Sequence, residues 1–166
     1  MKTLSRYLII ILVAGSLFLM SGIAMAGNSA TQTVTYAVSA INEISVSGNP
    51  AALTVSTAPA GSAPNSVSDA TTTYAITTNE AGQKITGAID TDMPAGVTLT
   101  VNLTAPSGGT SAGATSLSSS AADLVTGITT FNESGKTITY SLSATSAAGV
   151  VGSDTKTVTL TVVDGS

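Results

Sequence analysis

The chain has 166 residues, a formal net charge of −4 and only 8% charged residues, and it contains no Cys, His or Trp. Without Cys or His there is no disulfide, no zinc finger, no haem or Fe–S ligation through those side chains, and no Ser-His-Asp or Cys-His triad. Oxygen chemistry and non-catalytic roles remain, and a protein that is not an enzyme is expected.

Residues 1–26 have the three parts of a secretory signal peptide. Lys2 and Arg6 form a basic start, residues 7–20 read YLIIILVAGSLFLM, and Ala24-Met25-Ala26 is a small-x-small cleavage site. The competing reading is a retained membrane anchor, which Gly15, Ser16 and Ser21 weaken by interrupting the apolar stretch. Cleavage after Ala26 leaves residues 27–166 as a single domain, secreted to the extracellular space or cell surface, with the periplasm as the alternative. It keeps three lysines, no arginine and all nine acids, a net charge of −6. Such a chain cannot neutralise a run of phosphates, so nucleic acid is excluded as a partner, and so is attraction to an anionic membrane surface.

The first element after residue 26 is residues 31–40, TQTVTYAVSA, with apolar side chains at Val34, Tyr36, Val38 and Ala40 and polar ones between. Period-2 alternation is the pattern of a strand with one face in a core. The phase breaks at Ile41-Asn42-Glu43, which suits a bulge or hinge. Short strands follow at residues 44–46 and 53–55, then a loose segment at 58–70 containing Pro59 and Pro64. Residues 74–78 and 84–89 read as a hairpin about Asn79-Glu80-Ala81-Gly82, and the clearest alternation of all is VTLTVNL at 97–103. Residues 105–120 contain one Leu among small and polar residues and read as a surface loop or a poorly ordered excursion. One helical turn is weighed at 118–125 against a strand at 124–128. A second hairpin is expected from 129–131 to 136–144 about Asn132-Glu133-Ser134-Gly135, and a last strand carries Val158, Leu160 and Val162. Short strands with Gly-, Asn- and Pro-rich turns predict an all-β antiparallel sandwich, immunoglobulin-like in architecture, of about seven to nine strands.

Candidate chemistry is sparse. The nine acids are dispersed, and the aromatics beyond residue 26 are Tyr36, Tyr74, Phe131 and Tyr140, the tyrosines in phase with expected core positions. A glycosidase would need two carboxylates facing across a sugar, usually with aromatic platforms, so no catalytic residue is assigned. Asp90 and Asp92, in Asp90-Thr91-Asp92, are the only candidate metal ligands, offering two oxygens to Ca²⁺. Calcium takes six to eight oxygens, and a solvated turn is the competing reading, so no cofactor is expected.

A strong apolar strand at the start of the exported chain can leave its own sheet and complete a neighbour's. On the signal peptide, the small Thr/Ser/Ala/Gly-rich β domain and the arm at residues 31–40, the chain resembles subunits of secreted bacterial and archaeal surface filaments built by donor-strand complementation. Biofilm-matrix fibre proteins are the nearer likeness. The chain departs from chaperone–usher pilins, having no Cys pair and ending Val162-Val163-Asp164-Gly165-Ser166 without a nearby aromatic. The resemblance implies a structural subunit that self-associates through Val34, Tyr36, Val38 and Ala40, or that binds other cell-surface proteins. The alternative is a monomeric adhesion or ligand-binding module that presents loops such as 105–120.

Overall fold

The computed structural model describes residues 27–165, so the signal-peptide reading of residues 1–26 lies outside the described residues. Two compact units are distinguished, Met1–Ala37 and Val38–Ser166. The described part of the first, residues 27–37, contains no helix or strand. The second is a β-sandwich of nine strands with one 3-10 turn, Ser146–Ala148.

The strands are β1 (Asn42–Val46), β2 (Val67–Thr78), β3 (Gln83–Ile89), β4 (Val97–Leu103), β5 (Thr110–Ser111), β6 (Thr115–Ser116), β7 (Ala122–Ile128), β8 (Phe131–Ala144) and β9 (Val158–Asp164). They form two sheets of order β1-β2-β8-β4-β6 and β5-β7-β3-β9, with every pairing antiparallel. From β2 onward each successive strand belongs to the other sheet. The turns therefore carry the chain across the sandwich instead of closing hairpins, and each crossing brings the next alternating stripe against the core from the opposite side.

Those stripes are the ones the alternation marks. β2 buries Thr72, Tyr74, Ile76 and Thr78; β3 buries Gln83, Ile85 and Ile89; β4 buries Val101 and Leu103; and β8 buries Ile138 and Tyr140. β7 adds Leu124, Val125 and Ile128. One contiguous cluster results, with Leu99, Val158, Leu160 and Val162 packed on its rim. Each fully buried aliphatic side chain contributes roughly 1.5–3 kcal/mol, so this cluster is the main support of a domain without disulfides.

Several expectations are corrected. Residues 74–78 and 84–89 do not form a hairpin, because β2 and β3 lie in different sheets. Residues 129–144 are not a hairpin either: Phe131–Ala144 is one strand, and the expected turn at residues 132–135 lies inside it. β2 absorbs the mismatch through a register shift, since Tyr74 pairs with Lys136 but Ile76 pairs with Glu133. Ser134 and Gly135 of β8 then oppose the single Ala75 of β2, and Gly135 supplies a φ of 68° at the resulting bulge. The loose segment at 58–70 gives its last four residues to β2. No helical turn occurs at 118–125, where β7 begins at Ala122. Residues 53–55 run outside any strand. The stretch at 105–120 is organised by β5 and β6, and Leu117 is buried in the core, because its amide donates to the Leu99 carbonyl at 2.9 Å and fixes it over β4.

Candidate assembly site

Residues 31–40 enter no β-ladder among the described residues. Their apolar positions are bare: Val34 is 77% exposed, Tyr36 88% and Val38 80%, and Ala40 is exposed as well. Tyr36 therefore departs from the expected core phase, whereas Tyr74 and Tyr140 keep it. Isolated exposed apolar residues are ordinary, but three on one stripe of a β-branched, uncharged segment form a surface that water solvates poorly.

The root of this segment is tied down by Asn79, which follows β2. The Asn79 side chain accepts from the Ile41 amide at 2.7 Å and donates to the Ser39 carbonyl at 2.8 Å, and the Asn79 amide donates to the Ile41 carbonyl at 3.1 Å. Thr78 then donates to the Asn42 side chain at 2.6 Å. The break in phase at residues 41–43 thus marks the point where the chain docks onto β2 as β1. No sequence signal identifies Asn79 for this task, since the same Asn opens an ordinary turn.

Beyond Val46 the chain leaves the edge of β2, after a last pair of bonds between Ser47 and Thr73 at 2.9 Å each. An open cavity of about 680 Å³ lies past that point. Residues 53–58 form one wall, residues 148–154 with Lys156 form the other, and Val97, Leu142 and Ala144 form the floor. Leu53 and Val55 are half-buried against it, whereas Val150 is fully exposed.

Comparison with protein-family models, curated proteins and solved structures returns no match.

Asp90 and Asp92 each accept hydrogen bonds from backbone amides. Asp90 accepts from the Thr91 and Thr157 amides at 3.0 and 3.2 Å, and Asp92 accepts from the Ser119 amide at 2.6 Å. The Ser119 backbone and hydroxyl bonds hold the Asp92 carboxyl below its ordinary pKa. Both carboxylates thus pin neighbouring loops, and no group of three acids poised for a metal occurs among the described residues. The three lysines among the described residues are paired, Lys84 with Asp123 at 3.2 Å, Lys156 with Asp154 at 3.1 Å and Lys136 with Glu133. Among the described residues no helix is long and apolar enough to cross a membrane.

Proposed function

We propose that this protein is a secreted structural subunit that joins copies of itself into an extracellular filament or matrix by exchanging the N-terminal segment at residues 31–40. One observation carries the reading. A segment with the full alternation of a half-buried strand enters no β-ladder among the described residues and leaves Val34, Tyr36 and Val38 exposed.

Magnitudes support an exchange of strands over simple adhesion of the stripe. Covering three such side chains is worth roughly 1.5–3 kcal/mol each. Association costs about 4–15 kcal/mol in lost freedom, so burial alone leaves little surplus. A partner that also supplies a main-chain ladder adds the missing term and reads the alternate side chains in pockets. The segment is free of charge, so none is desolvated when it is covered.

The test is electron microscopy and size-exclusion chromatography with light scattering on the chain beginning at Gly27. Concentration-dependent oligomers or fibres are expected. A strictly monomeric protein across the accessible concentration range overturns the reading in favour of a monomeric extracellular binding module. Export is tested separately by the intact mass of the protein recovered outside the cytoplasm, which is expected to begin at Gly27.

A further inference from the structure

Resting on that reading, we infer that the cavity between residues 53–58 and 150–156 is the acceptor groove, and that its occupant is residues 31–40 of a second copy of this chain. The cavity lies where both sheets end in an unpaired edge. β1 is an outer strand of one sheet and β9 an outer strand of the other, and the two lie side by side. The wall at 53–58 continues the chain beyond β1, and the wall at 150–156 leads into β9. Neither wall is in a strand, and among the described residues the one backbone-to-backbone hydrogen bond made by residues 53–58 or 150–156 runs from the Asn65 amide to the Thr57 carbonyl at 2.8 Å. Apart from the Thr57 carbonyl and the Thr155 amide, which donates to the Asp154 side chain at 2.8 Å, the main-chain groups of both walls have no backbone partner among the described residues, the feature that strand addition uses.

Length fits as well. At about 3.3 Å per residue the six residues 53–58 reach at most roughly 20 Å and the seven residues 150–156 at most roughly 23 Å when extended. The stretch from Thr33 to Ser39, which carries Val34, Tyr36 and Val38, is seven residues. Its apolar face meets Leu53, Val55, Leu142 and Val150, and its polar face, Thr33, Thr35 and Ser39, stays in water. The charged groups lining the cavity are Asp154 and Lys156, already paired at 3.1 Å, so an uncharged strand leaves no ion stranded.

Polarity selects a second copy in head-to-tail order. The groove is at the end of the sandwich where β2 and β4 begin and β8 finishes, with Val67 opposite Leu142 and Val97 opposite Ala144. Asn79, which holds Ser39 and Ile41, is at the end where β2 finishes. A donor rooted at one end and an acceptor at the other form a heterologous contact, which propagates instead of closing.

Two full-length variants test this, both beginning at Gly27. Val150→Asp with Val151→Asp blocks the groove at exposed positions and leaves the fold, read by thermal unfolding, unchanged; Tyr36→Asp disables the donor. Neither is expected to assemble alone, and an equimolar mixture is expected to give a species of twice the monomer mass and nothing larger. Thr126→Asp, exposed on β7, serves as a control that assembles as the parent does. If the parent chain assembles and the Val150→Asp, Val151→Asp variant does too, or if the mixture stays monomeric, the groove is overturned while self-assembly stands. A parent chain that never assembles overturns the reading beneath both.

Discussion

Tyr74 donates its phenolic hydrogen to the Thr104 carbonyl across 2.7 Å, reaching over β8 to fasten β2 to the chain just past β4. The ring is 1% exposed, and burial first, then the negative charge of Glu133, push its pKa from 10.0 up to about 12. The neutral phenol is thus favoured in the folded state. Its contribution is fully present below pH 10 and is lost as the pH rises from 10 through about 12, because the unfolded chain releases this proton first. Tyr74→Phe is expected to cost about 1 kcal/mol at neutral pH and to flatten the alkaline limb of stability. Urea unfolding at pH 7 and at pH 10–11 measures both, and an alkaline limb as steep as the parent's would count against Tyr74 as its source.

At the acid end, Glu133 is the counterpart. The bond from Lys136, followed by those from the Ser107 hydroxyl and amide, lowers its pKa from 4.5 to about 2. A depressed carboxyl contributes stability above its unfolded pKa and loses it as the pH falls from 4.5 through about 2. Asp92 and Asp154 are lowered too, and their losses fall on the same acid side. Glu133→Gln is expected to be less stable than the parent at pH 7 and to lose less on acidification. Melting midpoints from pH 7 to pH 2 check this: the two curves should converge toward pH 2, and parallel curves would exclude Glu133.

How much of this architecture was legible depended on whether a feature is local. The alternation VTLTVNL spans β4 from first residue to last, because a half-buried strand writes its period directly into the chain. Sheet membership is not local. Asn79-Glu80-Ala81-Gly82 has the residues of a hairpin turn, yet it carries the chain from one sheet to the other, and the same positive φ at Gly82 serves either course. Gly135 reads as a turn glycine and works as a bulge inside β8. Tyr36 and Tyr74 sit in similar Thr-rich contexts, and only the presence of neighbouring strands makes one buried and the other bare. The groove is the least legible feature, since its walls are 90 or more residues apart and acquire meaning only when β1 and β9 meet.

Thr72 offers a gain in stability. Its side-chain hydroxyl is buried and makes no hydrogen bond among the described residues. A buried hydroxyl without a partner costs about 1–3 kcal/mol. Valine keeps the β-branched shape and removes the polar group, so Thr72→Val is expected to raise stability by about 1 kcal/mol. Chemical denaturation at pH 7 measures it, and a loss of stability would mean that the hydroxyl is solvated in the native protein.

Gly87 sets two effects against each other. It sits in the middle of β3, opposite Leu160 of β9 and Ala122 of β7. Replacing a strand glycine ordinarily helps by about 0.5–1 kcal/mol through the unfolded chain. Here a Cβ would come within 2.6 Å of Leu124 Cδ1 and 3.4 Å of Leu160 Cδ2. Leu124 is itself buried in the cluster, so it has no solvent to swing into and must displace packed neighbours to clear the Cβ. Overpacking of this kind costs about 1–3 kcal/mol, which exceeds the entropic gain. Gly87→Ala is expected to destabilise, Leu124→Val to destabilise by opening space, and the double variant to lose less than the two losses added. A double-mutant cycle by urea unfolding reads this directly: coupling of at least about 0.5 kcal/mol places the cost at the Leu124 contact, and strict additivity would assign it elsewhere.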